Sequence, residues 1–191
     1  RIGNNHMMFT GPAMHEARQY RKNENSTVTC SLCNHRCTIK EGKHGICGVR
    51  KNEQGTLFAE TYGKISAEAI DPIEKKPLAH FYPGSLSLSI SSVGCSFTCP
   101  WCQNWHLSTA KPESGLKRVP PKDVVDAAHR EKCTSISYTY NEPLINLDYV
   151  EDTARLAKKE GVKNVLVTNG YISLKALDKV VDVIDAANVD W

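Results

Sequence analysis

Eight cysteines stand in a chain of 191 residues, and seven of them fall into two tight groups. The later group, Cys95, Cys99 and Cys102, has the spacing C-x3-C-x2-C with Trp101 inside it. Three thiolates on one loop can hold three irons of a cubane [4Fe–4S] cluster, whereas a closed cluster takes four cysteines. No fourth cysteine lies in that loop, so one iron would stay open to a ligand instead of merely passing an electron. A second reading stands beside it. His106, four residues after Cys102, would complete a three-Cys, one-His zinc site. Trp101 offers a flat apolar surface suited to stacking a purine, or else a ring for the core.

The earlier group, Cys30, Cys33, Cys37 and Cys47, supplies four thiols, a complete set for one centre. Zinc and an auxiliary iron–sulfur cluster both fit by count. A segment of about 50 residues with little core needs such a staple, which favours a structural metal. His35 and His44 are then unnecessary as ligands and are expected on the surface. Cys133 stands alone before a strand-like run and is expected to pack as a small apolar residue.

Elements able to position these residues follow from periodicity. Residues 85–93 alternate Leu or Ile with Ser, a strand pattern that ends just before Cys95. Pro120-Pro121 opens a helix through Val124, Val125, Ala127 and Ala128. Residues 135–140 read as a strand. Residues 145–160 read as a helix whose Ile145, Tyr149, Val150, Ala154 and Ala157 share a face, with Gly161 as the stop. Val165–Val167 is a buried-type strand. Ser173 caps a helix with Leu177, Val180, Val181 and Ile184 in one stripe, and Asn188-Val189-Asp190 begins a further strand. Strands alternating with helices imply βαβ units and a parallel sheet. Upstream, a hairpin is expected around residues 52–55, with Leu57, Phe58, Thr61 and Tyr62 on its second strand. Lys75, Lys76, His80 and Tyr82 read as a connector, its lysines solvated, with His80 a candidate to reach the site.

Composition narrows the class. At 40% hydrophobic and 24% charged, with a mean hydropathy of -0.41, the chain lacks any run near the ~18 apolar residues of a spanning helix. No apolar export signal is readable, so the cysteines argue for metal ligation over disulfides and for a cytoplasmic protein. A net charge of +3, evenly spread, gives no case for nucleic acid.

Four blocks resemble one family: DPIEKKPLAHFYPGS, GCSFTCPWCQNWHLS, YTYNEP and VTNGYI, in this order. Together they are similar to the AmmeMemoRadiSam-system radical S-adenosylmethionine (SAM) enzymes, relatives of the pyruvate formate-lyase activating enzymes. The resemblance runs from about Met14 to Trp191. It implies an α/β fold, a partial (β/α)6 TIM-like barrel of the radical SAM type, truncated after the fourth strand. Residues 1–13, which carry no periodicity and precede Met14, are read as a non-native leader, 14–84 as a Cys-rich segment with a metal site, and 85–191, where strands and helices alternate, as the partial barrel. Cys95, Cys99 and Cys102 would be the catalytic cysteines that ligate a [4Fe–4S] cluster, and Trp101 would lie against the adenine of SAM. Asn141-Glu142 stands where the family commonly has Gly-Gly-Glu and would hold the SAM amino group through Glu142. Thr168 and Asn169 would face the ribose or methionine end, and Asp190 matches the start of a fourth-strand Asp-Leu-Lys segment. The implied chemistry is reductive cleavage of SAM to methionine and a 5′-deoxyadenosyl radical that abstracts hydrogen from a substrate. Implied partners are a flavodoxin or ferredoxin as electron donor and Memo-like and AMMECR-type proteins. The competing reading is a non-catalytic zinc-binding scaffold module.

Overall fold

A computed structural model describes residues 14–112 and 116–190. The leader expected at residues 1–13 and the position of Trp191 lie outside them. In chain order the strands are β1 (Tyr20–Lys22), β2 (Val28–Cys30), β3 (Thr38–Ile39), β4 (Arg50–Glu53), β5 (Thr56–Ala59), β6 (Lys64–Ile65), β7 (Ala67–Pro72), β8 (Leu86–Ser91), β9 (Lys117–Arg118), β10 (Ser135–Tyr138), β11 (Lys163–Thr168) and β12 (Ala186–Val189). The α-helices are α1 (Trp105–Ser108), α2 (Pro121–Arg130), α3 (Leu147–Lys159) and α4 (Leu174–Leu177).

The fold is α/β, built on a mixed five-stranded sheet in the order β12-β11-β10-β8-β7. Strands β8, β10, β11 and β12 run parallel, as the alternation of strands and helices predicts, with α2, α3 and α4 in the three connections. Strand β7 is antiparallel to β8 and closes one edge; it ends on Pro72, which an edge strand tolerates. The sequence gives β7 no clear signal, because its run Ala-Glu-Ala-Ile-Asp-Pro carries little β propensity.

Strand β8 shows why its pattern alternates. Leu88 and Ile90 join the apolar core, where α2 packs on β8 and β10 and α3 packs on β11. Its serines are buried too, and each has a partner. Ser87 Oγ meets Ser137 Oγ at 2.6 Å, Ser89 Oγ donates to Asp71 Oδ2 at 3.0 Å, and Ser91 Oγ meets Ser66 Oγ at 2.8 Å. Burial without a partner would cost each hydroxyl about 1–3 kcal/mol, so the serine face needs this pairing to close.

The predicted helical faces are buried: Val124, Val125, Ala127 and Ala128 on α2, and Tyr149, Val150, Ala154 and Ala157 on α3. Ile145 is buried as well, in a 3-10 turn, Pro143–Asn146, that leads into α3. The last helix is shorter than its stripe suggests. Ser173 caps α4 through the Ala176 amide at 3.3 Å, but α4 ends at Leu177, and Val181 is 58% exposed.

Strands β1 to β3 form an antiparallel sheet, and β4 with β5 forms the expected hairpin. Gln54 and Gly55 both have positive φ, 52° and 76°, the turn whose twist suits a two-residue hairpin. Strand β5 stops at Ala59, so Thr61 and Tyr62 fall in the following turn instead of on the strand. Among the described residues, no helix is long and apolar enough to cross a membrane.

Candidate functional site

The sequence-nominated residues collect at one end of the parallel strands, the end where chemistry gathers in open and barrel α/β folds. Cys95 lies four residues beyond β8, Asn141 and Glu142 follow β10, Thr168 closes β11 with Asn169 beside it, and Asp190 follows β12.

Glu142 is the hub. The proline that follows restricts it to extended backbone, φ −76° and ψ 108°, and its carboxylate turns back into the site. Oε1 accepts from the Leu144 amide at 2.9 Å and from Thr168 Oγ1 at 2.8 Å, and Oε2 accepts from the Asn169 amide at 2.7 Å. Burial pushes its carboxyl above the usual range, opposed by these three donors. Asn169 in turn reaches the cysteine loop, its Nδ2 donating to Ser96 Oγ at 3.0 Å with Cys95 Sγ at 3.9 Å. Asn141 ties the same loop from the other side, donating to the Gly94 carbonyl at 2.9 Å and accepting from the Ser92 amide at 3.4 Å. Asp190 is exposed; its amide donates to the Thr168 carbonyl at 2.9 Å and its charge adds to the upward push on Glu142.

The cysteine loop is graded in exposure. Cys95 and Cys102 are half-buried and Cys99 is exposed, all three as free thiols. Burial pushes the Cys95 thiol up, against the Phe97 amide, which lies 3.4 Å from its sulfur. Trp101 is 81% exposed, so among the described residues its ring is not part of the core and its face is open beside the loop. His106 is also exposed, edge-on to the Trp105 ring.

The other four cysteines converge as well. Cys30 ends β2 and its amide donates to the Cys37 carbonyl at 2.9 Å, which sets two thiols across one antiparallel pair. Cys30, Cys33, Cys37 and Cys47 all line a single cavity, whose wall includes Arg50 and Ile145. Burial pushes the Cys30 and Cys33 thiols up, and Cys47 up to about 11. Among the described residues, no three His, Cys, Asp or Glu side chains close on a single-ion geometry, and this holds for both cysteine groups alike.

Two residues expected at the surface are not there. His35 Nε2 donates to the Ser96 carbonyl at 2.9 Å, and its ring meets Tyr171 at 4.9 Å. The first cysteine loop therefore touches the second. Ser31 and Asn34 extend the contact, accepting from Ser173 Oγ at 2.7 Å and donating to the Ile172 carbonyl at 3.3 Å. Lys76, read as a solvated linker residue, is 3% exposed, and its ammonium lies 2.8 Å from Asp71 Oδ2. A lysine run before Pro gives no hint of this, because the burying partner sits on a strand the pattern does not reveal. His80 is exposed.

A three-thiol loop with one open position, set against a buried carboxylate and an amide side chain at neighbouring strand ends, suits a cluster that must also hold a small polar ligand. Comparison with known proteins agrees. Over 181 residues, 93% of this chain and 53% of the relative, it is 44% identical to the uncharacterized protein MJ0808 of Methanocaldococcus jannaschii. The uncharacterized protein MJ0674 of the same organism is 22% identical over 175 residues, 88% of this chain and 46% of the relative. The chain thus spans about half the length of the curated relatives it matches. Residues 89–191, which hold the end of β8, the cysteine loop and the strands through β12, match the Radical SAM superfamily, and the chain belongs to that superfamily, whose members employ a [4Fe–4S] cluster and SAM.

Proposed function

We propose that this chain carries the cofactor-binding half of a radical SAM enzyme related to the AmmeMemoRadiSam and glycyl-radical-activase groups. The observation that carries the reading is the three-thiol loop after β8, linked through Asn169 to Glu142. Cys95, Cys99 and Cys102 would hold the cluster; the donor set fits, three free thiols on one loop with no fourth cysteine inside it. When bound and reduced, the cluster would supply the electron that splits SAM into methionine and a 5′-deoxyadenosyl radical. The chain's own residues bind and orient. Glu142 accepts from the SAM ammonium, a charge-assisted bond that favours the ionised carboxylate. Thr168, Asn169 and Asp190 line the ribose and methionine side, and the exposed face of Trp101 receives the adenine. Excluding water and oxygen falls to the surrounding fold.

The first cysteine group is proposed as a second centre, zinc or iron–sulfur, that staples residues 14–84. The parallel strands are proposed as the opening part of a barrel that the remaining length of the relatives would complete. The substrate is proposed as a protein or small molecule that yields a hydrogen atom. Memo-like and AMMECR-type proteins and a flavodoxin or ferredoxin donor are the proposed partners, in the cytoplasm.

Anaerobic reconstitution followed by electron paramagnetic resonance tests the reading. A reduced-cluster signal that shifts on adding SAM, and disappears when Cys95, Cys99 and Cys102 are all changed to Ala, is the expected result. Zinc at both centres with no iron, in a colourless protein, would overturn it.

A further inference from the structure

The loop that presents Asn141 and Glu142 begins with a strained turn. Tyr140 has φ 71°, and the Asn141 amide donates across it to the Thr139 carbonyl at 3.0 Å. This is a three-residue turn with its central residue on the left-handed side, a rare and strained form. For a bulky aromatic the conformation costs on the order of a few RT and persists only where surrounding contacts over-determine it. Such contacts surround Tyr140. Its phenol donates to Asp71 Oδ2 at 2.8 Å, and the Lys76 ammonium lies 4.9 Å from its ring centre. Asp71 is itself fixed: Lys76 Nζ donates to Oδ2 at 2.8 Å, Ser89 Oγ to Oδ2 at 3.0 Å and Lys75 Nζ to Oδ1 at 3.2 Å. Burial alone would raise its carboxyl, but the bonds from Lys76, Tyr140 and Ser89 outweigh it and hold the group well below the usual range. An ionised acceptor makes the phenol's bond a strong one.

We propose that Asp71, Lys76 and Tyr140 form a lock on the edge strand and its connector that holds the strained turn and so aims Glu142 into the cofactor site. Tyr140 is thus a positioning residue, two positions ahead of the group it aims, and the proposal rests on the reading that Glu142 receives the SAM ammonium. The buried Lys76 then has a purpose beyond pairing: it keeps Asp71 ionised and caps the ring whose hydroxyl does the holding.

Tyr140→Phe removes only the hydroxyl. In the cluster-free full chain, hydrogen exchange at the Asn141 and Leu144 amides should speed about tenfold, the effect of one lost bond to a charged group. In the anaerobically reconstituted chain, the SAM dissociation constant should rise by about the same factor, with the SAM-free cluster signal unchanged. Ser89→Ala, which takes a different donor from the same oxygen, should stay within about twofold of the original in both readings, since the ammonium and the phenol still hold Asp71. Unchanged exchange in Tyr140→Phe overturns the lock, as does a Ser89→Ala effect of equal size, which would mean general loosening. If Tyr140→Phe does not fold, Lys76→Met is read in the same two ways, and unchanged exchange there overturns the lock equally. If exchange speeds while neither Tyr140→Phe nor Glu142→Gln alters SAM affinity, the lock stands and the role given to Glu142 fails.

Discussion

Gly94, one residue before Cys95, is where the Cys-rich segment presses hardest on the cysteine loop. Its φ is 85°, and a Cβ placed there would lie 2.6 Å from the Cys47 carbonyl oxygen, 2.6 Å from Val49 Cγ1 and 3.2 Å from Ile145 Cδ1. The first two separations are shorter than atoms tolerate, and the oxygen belongs to backbone that cannot swing away. Gly94→Ala therefore carries two costs: about 1–2 kcal/mol for a left-handed alanine and about 1–3 kcal/mol for overpacking. Gly42 separates them, because its φ of 68° is similar and nothing lies within 4 Å of its Cβ position. Gly42→Ala should cost only the backbone part. For a chain of this size each kcal/mol moves Tm by about 2–4 °C. Gly94→Ala should thus lower Tm by about 4–20 °C, clearly beyond Gly42→Ala, in thermal melts of the cluster-free chain. Iron loading at Cys95, Cys99 and Cys102 should fall with it, since relief requires either Cys47 or the cysteine loop to move. Equal melting of the two variants would refute the argument, because the segment could then lift from the loop at no cost.

Three further outcomes follow from other parts of the molecule. Arg50 and Asp148 are both buried and paired at 2.9 Å, so Arg50→Leu should cost about 3–5 kcal/mol by leaving an unpaired carboxylate. Arg50→Leu with Asp148→Leu should recover most of that loss in urea unfolding, and simple additivity of the two single changes would contradict the pairing. The Cys95→Ala, Cys99→Ala, Cys102→Ala variant should retain about one zinc or one cluster per chain by elemental analysis, lost when Cys47→Ala is added; a metal-free triple variant argues against the second centre. Because Asp71 sits below its unfolded value, its contribution is present above about pH 4 and lost as pH falls through the folded value. Asp71→Asn should flatten that acid limb of the stability curve, and an unchanged limb would place the loss elsewhere.

What the sequence revealed divides along physical lines. Helix faces were legible on α2 and α3 because burial of Val124 or Ala154 follows a 3.6-residue period that neighbours cannot disguise. The residues nominated for the site stand out by type and spacing (thiols on one loop, an acid before Pro143, an amide before Gly170), and the structure brings them to one end of the parallel strands. Strand β7 was not, since an edge strand carrying Ala, Asp and Pro owes its place to the ladder with β8, a long-range term absent from any local window. Lys76 followed it into obscurity. A lysine is read as solvated until the partner that neutralises it is known, and here that partner lies on the hidden strand.

His35 failed for a different reason. Four cysteines make it redundant as a ligand, but redundancy as a ligand is not freedom on the surface. Its position between Cys33 and Cys37 instead places it on the face of that loop that meets Ser96 and Tyr171. Together with Asn34, Ser31 and the close approach at Gly94, this makes the Cys-rich segment a wall of the proposed cofactor site. The segment thereby braces both the cysteine loop and the Asn169–Ser173 turn. Whatever orders Cys30, Cys33, Cys37 and Cys47 must then also steady the loop that bears Cys95, because Ser96 and Gly94 have no slack between the two.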